Sequence, residues 1–343
     1  MSLNLLITGG CGFLGARLAR TLLAGGPLAL AGAAPQAIAQ ITLADRVPPP
    51  ADLQADARIR FVGGDLNELI DDAQLPGIDV DLVFHLAAAV SGDCEADLDL
   101  GLRSNIDATR GLLQACRRTG RAPVFVFSSS VAVFGNSPEQ PLPSSIEDTT
   151  LPTPQNSYGI QKFIGEQLVA DFTRKGLVRG RNVRLMTVSV RPGRPNGAAS
   201  SFLSGMLREP LAGQRAVCPV SPDTAVALAS PANTIAGLIR AATASPAEWG
   251  ARTAVNLPAL TTTVRDMAQA LERIAGTAAT ELIDWQPDAP IAKIIGSWPS
   301  RIHAARAEGL GLAADASFDA ILRDYVRDNP QAVTLPVNLP QKA

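Results

Sequence analysis

Six residues, Leu3-Asn4-Leu5-Leu6-Ile7-Thr8, run straight into Gly9-Gly10-Cys11-Gly12-Phe13-Leu14-Gly15, and Phe13–Ala24 then carries apolar residues at helical spacing. A short run that is almost wholly apolar reads as a strand buried on both faces. Glycines at positions 9, 12 and 15 let the chain turn from that strand directly into a helix. Gly9 permits the tight turn, Gly12 leaves the backbone open to a ligand, and Gly15 lets helix and strand pack closely. Few folds begin this way, and most of those are built on a parallel sheet.

The alternation continues. Short strands are expected at Ile41–Ala44, ending at Asp45, at Ile59–Val62, ending at Gly63-Gly64-Asp65-Leu66, and at Val80–Leu86, Val124–Phe127 and Val183–Val190. Helices are expected over about Asp97–Thr119 and Ser157–Lys175. This predicts an α/β fold, a Rossmann-type doubly wound parallel sheet over residues 1–192. Beyond Arg191-Pro192, Pro, Gly and Ala become frequent and helical patterns shorten to Phe202–Arg208, Thr234–Ala242, Val264–Ile274 and Phe318–Val326. Residues 193–343 are therefore expected to form mainly a smaller mixed α/β substrate-binding cap, with Ala254–Leu257 returning to the sheet.

Bulk properties exclude several roles. A net charge of −2 offers no basic surface to nucleic acid or anionic lipid. The apolar opening is too short for a secretion signal and lacks a basic start, and no stretch approaches the roughly 18 unbroken apolar residues of a membrane span. Cys11, Cys94, Cys116 and Cys218 are far apart, which suits packing residues in a reducing cytoplasm. With only His85 and His303 available, no metal site is expected.

A glycine turn that opens a helix points free amides and the positive end of the helix dipole at an anion. Gly9, Gly12 and Gly15, with Phe13 and Leu14 between them, thus read as the pyrophosphate cradle of a dinucleotide. Asp45, at the end of the second strand, is placed to take both ribose hydroxyls and repel a 2′-phosphate, which favours NAD; Arg46 beside it keeps NADP as the alternative. Asp65 and Leu66 are candidates for the adenine, or Asp65 caps the following helix. Small Ala87 and Ala88 would let the dinucleotide pass, while His85 reads as a structural residue bonded to backbone.

Chemistry is expected at Tyr158 and Lys162, four apart on one helix face. A phenol with a pKa near 10 is a poor base, and a neighbouring ammonium would lower that value. Upstream lies Phe127-Ser128-Ser129-Ser130, whose strand-end hydroxyl could donate to a substrate oxygen. Ser130 is the first candidate and Ser129 the second.

These features together resemble the extended short-chain dehydrogenase/reductase family, the NAD-dependent epimerases and dehydratases, over nearly the whole chain. The resemblance rests on the glycine turn, Asp45, Asp65-Leu66, His85-Leu86-Ala87-Ala88, Asn105, Ser128–Gly135, Tyr158 with Lys162, and Arg191-Pro192. It implies that Ser130, Tyr158 and Lys162 are the catalytic trio, with Asn105 shaping the cofactor site and Pro192 joining it. Two departures narrow the chemistry. Val131-Ala132 stand where the family's dehydratases carry an Asp-Glu pair, and Asp223–Pro231 lacks the cap pattern common in its nucleotide-sugar enzymes.

A narrower likeness, to the family's sugar-acid dehydrogenases, rests on Ser189–Asn196, Ala198–Phe202, Arg208–Leu211, Ala216–Val220, Val90-Ser91-Gly92, Glu95-Ala96-Asp97 and Gly296–Pro299. It implies oxidation by NAD of the carbon-2 hydroxyl of a four-carbon sugar acid, in sugar-acid catabolism. The alternatives are a dehydrogenase or epimerase of another sugar acid, sugar or hydroxy amino acid, and a non-catalytic cofactor sensor. A sugar acid needs a cation for its carboxylate, with Arg208 and Arg194 as candidates. Hydroxyl partners would come from Ser91, Asn196, Ser200 and Ser201, alongside Ser129, Ser130 and Tyr158. Family resemblance also implies a homodimer through the helices at about Asp97–Thr119 and Ser157–Lys175, unless both are covered within one subunit.

Overall fold

In the computed structural model, which describes residues 2–72, 75, 80–195 and 197–339, a seven-stranded parallel sheet forms the centre. In chain order its strands are β1 Leu3–Thr8, β2 Ile38–Asp45, β3 Ile59–Gly63, β4 Leu82–His85, β5 Val124–Ser130, β6 Arg179–Leu185 and β7 Val255–Asn256. Their spatial order is β7-β6-β5-β4-β1-β2-β3. The order reverses between β1 and β4, and in a doubly wound sheet the crevice for a ligand opens there, at the carboxyl ends of the strands.

Burial explains the apolar runs. Val124 through Phe127 are all buried because helices cover both faces of β5. On one face pack α1 (Phe13–Ala24) and Leu238, Ala241 and Ala242 of a later helix; on the other pack Leu112, Leu113 and Cys116 of α2 (Ala108–Thr119) and Val169 and Phe172 of α3 (Ser157–Arg174). A separate core joins α4 (Phe202–Leu211), α6 (Val264–Ala275) and α7 (Phe318–Asp328), and includes Cys218 and Ile283 of a two-stranded sheet. Residues 193–343 thus divide their packing. The helix α5 (Pro231–Thr243), Trp249, Ala304, Ala307 and Leu310 lie in the core of the main sheet, not with the second core.

Three boundaries differ from the sequence expectation. β2 begins at Ile38, three residues early, because Ile38 pairs with Leu3. The expected strand Val183–Val190 is two strands: β6 leaves the main sheet at Leu185, and Thr187–Val188 pairs instead with Ala225–Ala229 in a three-stranded sheet. The chain crosses there from one core to the other. The helix expected over Asp97–Thr119 is a short turn, Leu98–Gly101, then a π-helical segment, Leu102–Asp107, then α2. π-Segments of this kind often mark functional sites, and this one carries Asn105.

Candidate active site

A cavity of about 590 Å³ opens at the carboxyl ends of the central strands. At one end it is lined by Gly9, Gly12, Phe13, Leu14 and Gly15. Gly9 has φ +66°, and a Cβ there would lie 2.8 Å from the Ala87 nitrogen; at Gly15 a Cβ would stand 2.2 Å from the Gly9 carbonyl. Only glycine is tolerated at either position. A Cβ on Gly12 would meet nothing nearer than the Gly9 carbonyl at 3.4 Å. That open space, beside a helix start with no side-chain cap, is the shape a pyrophosphate requires.

Asp45 and Asp65 also line this end. The Asp45 carboxylate is oriented by the Cys11 amide at 2.9 Å and the Val47 amide at 3.3 Å. Asp65 does two things: it caps the helix Leu66–Asp71 by accepting from the Asn67 amide at 3.0 Å, and it forms ion pairs with Arg46 and Arg103. Those partners and the amide hold its pKa below the usual carboxylate range against the effect of burial. Leu66, Ala87 and Ala88 line the cavity as well.

Asn105 lies behind the lining. Its amide oxygen accepts from the Ala89 nitrogen at 2.8 Å, and its amide nitrogen donates to the Ala89 carbonyl at 3.2 Å and to Gln161 at 2.8 Å. It shapes the wall by holding backbone in place. His85 is bonded to hydroxyls rather than to backbone, Nδ1 to Thr8 at 2.7 Å and Nε2 to Thr109 at 2.9 Å. Burial pushes its pKa down to about 3, so the ring is neutral and structural.

Ser130, Tyr158 and Lys162 converge on the middle of the cavity. Asn156 caps α3 by accepting from the Gly159 amide at 2.8 Å, which starts the helix where Tyr158 comes to face Ser130. Ser130 draws the Tyr158 phenol's pKa down against the effect of burial, and its hydroxyl accepts from the Ala132 amide at 3.1 Å. The Lys162 ammonium donates to the Ser128 carbonyl at 2.8 Å and lies 5.7 Å from the centre of the Tyr158 ring.

The electrostatics correct one expectation. Burial pushes the Tyr158 phenol up to about 12; the groups that pull it down are Ser130 and Arg191, and Lys162 is not among them. The Lys162 ammonium is bound instead by the Ser128 carbonyl, and burial lowers its own pKa to about 8.

Ser129 lines the cavity, but its hydroxyl donates to Glu166 at 2.5 Å. Glu166 also accepts both Nε and Nη2 of Arg184 at 2.8 Å, and all three residues are buried. Glu166 lies one helical turn beyond Lys162, and Arg184 stands opposite Ser129 across the β5–β6 ladder. This buried pair therefore locks α3 onto the two strands whose ends bear the chemistry. The acid at the position four after Lys162 was the signal in the sequence that went unread.

Ser91, Ala198, Ser200, Arg191 and Trp298 line the far end. Ser91 accepts from the Ala199 amide at 3.1 Å, tying the helix Ser91–Ala96 to the loop that begins the cap. Among the described residues the lining includes Arg191 but not Pro192, Arg194, Ser201 or Arg208; Asn196 lies outside the described residues. Arg208 is buried and committed: Nη1 donates to the Arg191 carbonyl at 2.8 Å and Nη2 to Glu209 at 2.5 Å. It braces the backbone of the arginine that faces the cavity. Arg191 follows the short strand Thr187–Val188, where the chain has left the main sheet just beyond the carboxyl end of β6.

A doubly wound sheet with a phosphate-binding glycine turn and a Ser-Tyr-Lys cluster lining its cavity defines a dinucleotide-dependent enzyme that moves hydrogen at a carbinol. The chain belongs to the NAD dependent epimerase/dehydratase family, whose sequence model matches residues 5–226. It is 48% identical to D-erythronate dehydrogenase of Cupriavidus necator, over 95% of this chain and 98% of that one. Identity to D-erythronate dehydrogenase of Haemophilus influenzae is 40%, over 94% and 99% respectively. A solved structure described as a nucleoside-diphosphate-sugar epimerase from Agrobacterium tumefaciens superposes with a TM-score of 0.86, at 36% identity over 96% of this chain and 95% of that one.

The protein is thus an NAD-dependent enzyme of this family acting on a small molecule, and the open cradle at Gly12 beside Asp45 fits that cofactor. Among the described residues no helix is long and apolar enough to cross a membrane, and no group of three metal-ligating side chains is assembled.

Proposed function

We propose that this enzyme oxidises the carbon-2 hydroxyl of D-erythronate with NAD, giving 2-dehydro-D-erythronate and NADH, as a step in sugar-acid catabolism. The observation that carries this is Arg191: a cation in the wall of the cavity, coupled electrostatically to the Tyr158 phenol. Oxidation next to a carboxylate needs a cation beside the base, and a guanidinium binds a carboxylate through two parallel hydrogen bonds. Near full-length identity to two D-erythronate dehydrogenases supports the same substrate.

The roles follow from position. Arg191 holds the carboxylate, and Ser91 and Ser200 face the remaining hydroxyls. Ser130 donates to the oxygen at carbon 2. Tyr158, as phenolate, takes the hydroxyl proton while the carbon–hydrogen bond breaks and the carbonyl forms. NAD supplies the hydride acceptor. Lys162, anchored by the Ser128 carbonyl, would hold the nicotinamide ribose, and Gly9, Gly12 and Gly15 would hold the pyrophosphate. The nucleotide-binding part, residues 1–192 with the later segments that return to its core, and the cap built from the rest of 193–343 hold the substrate between them.

Charge and composition support a cytoplasmic protein. Leu98 and Leu102, before α2, and Ile160 and Ile164, on α3, are apolar side chains left 38–57% exposed, which supports a homodimer through these helices.

The test is a spectrophotometric screen of four-carbon sugar acids with NAD and NADP. NADH formation from D-erythronate is the expected result. Isomerised product without net NADH would make the enzyme an epimerase, and the oxidation assignment would be withdrawn.

A further inference from the structure

We propose that Asp65 is a specificity-determining residue: it holds Arg46 in an ion pair and so denies a 2′-phosphate the guanidinium that follows Asp45. The inference concerns dinucleotide choice and stands independently of the substrate.

An arginine next to the strand-end acid is the residue type that accommodates the 2′-phosphate of NADP. Arg46 is in that place: it follows Asp45, lines the cavity, and its side chain is 61% exposed. Left alone, it would argue against NAD. Its guanidinium is instead paired with Asp65, which is only 12% exposed and is itself fixed by the Asn67 amide at 3.0 Å and by Arg103 at 3.2 Å. Arg103 is shared in turn with Glu68 at 3.2 Å. The backbone adds to the rigidity, since the Gly64 amide donates to the Asp45 carbonyl at 3.0 Å and ties the two strand ends together.

The charged groups facing this corner are Asp45, Asp65 and Glu68 against Arg46 and Arg103, a net of one negative charge. An exposed ion pair is worth only about 0–1 kcal/mol, so the Arg46–Asp65 pair need not be strong in itself. Its effect comes from the alternative. For Arg46 to turn to a 2′-phosphate it must leave Asp65, and the phosphate then sits among three carboxylates with one fewer cation beside them. NAD asks for no such rearrangement.

The test measures equilibrium binding of NAD, NADP and 2′,5′-ADP by titration calorimetry, with no substrate present. Asp65→Asn keeps a side chain able to cap the helix but removes the charge that claims Arg46. The ratio of the NADP to the NAD dissociation constant should fall about tenfold in this variant, a change of about 1.4 kcal/mol. 2′,5′-ADP should tighten in parallel. Adding Arg46→Ala should restore the original ratio. Arg46→Ala alone should leave the NADP constant within about twofold of the parent, because the guanidinium is already engaged.

The proposal fails if Asp65→Asn leaves the ratio unchanged, or if the gain survives removal of Arg46. It fails equally if Arg46→Ala alone weakens NADP more than about fivefold, a measurement that decides the matter even should the Asp65 variant not fold.

Discussion

The two ends of the cavity are built differently. The dinucleotide end comes from contiguous chain: a strand, a glycine turn and a helix start within Leu3–Ala24, with Asp45 and Asp65 at the ends of the next two strands. The far end gathers Ser91, Arg191 with Ser200, and Trp298 from three distant parts of the chain. Backbone forms the phosphate cradle at the first end, with the Asp45 and Asp65 side chains beside it, whereas the second end is built from side chains. A backbone site tolerates variation around its glycines, whereas a side-chain site changes ligand with one substitution. The family's shared cofactor and varied chemistry follow from that difference.

The sharpest break in the comparison is Tyr158→Phe. It should cost about 10³-fold in kcat while leaving the NAD dissociation constant within a few fold, measured by steady-state rates and by titration. Near-normal turnover would remove Tyr158 from proton transfer.

Arg191→Met should come next, raising KM for the acid by about 100-fold through loss of a charge-assisted pair. Because Arg191 pulls the Tyr158 phenol down, its loss should also move the ascending, acid-side limb of the kcat profile, which reports phenolate formation, upward in pH. Arg208→Met should raise KM far less, since Arg208 touches only the Arg191 carbonyl and Glu209. Equal effects of the two substitutions would erase the distinction between the arginine in the wall and the one behind it.

The smallest effect concerns stability. Burial lowers the Lys162 pKa from 10.5 to about 8, so the unfolded chain binds more protons between those values and stability rises with pH there. Relative to Lys162→Met, the parent protein should gain about 1 kcal/mol between pH 7 and pH 9, read from urea midpoints at each pH. A difference that stays flat with pH would mean that the ammonium is solvated or compensated in the folded protein.

Legibility followed the same division. The glycine turn, Asp45, Ser130, Tyr158 and Lys162 were readable because each lies at a strand end or helix start that local pattern already marks. Asn105 stood out in sequence, but its place behind the wall depends on a π-segment that no apolar periodicity predicts. Ser130 ranked above Ser129 in sequence, but the reason appears only in the fold: successive strand residues point to opposite faces, and the Ser129 hydroxyl is taken by Glu166 of α3.

By itself, the sequence determined the sheet, the turn that cradles phosphates and the spacing of tyrosine and lysine on one helix face. Those features follow from hydrophobic period, glycine stereochemistry and the helical repeat, all of which act within a few residues. Only the tertiary structure decided which arginine lines the cavity, that Ser129 is taken by Glu166, and that Arg46 is claimed by Asp65. Each of these turns on the direction in which one side chain points after distant segments have packed, and no local pattern encodes that direction.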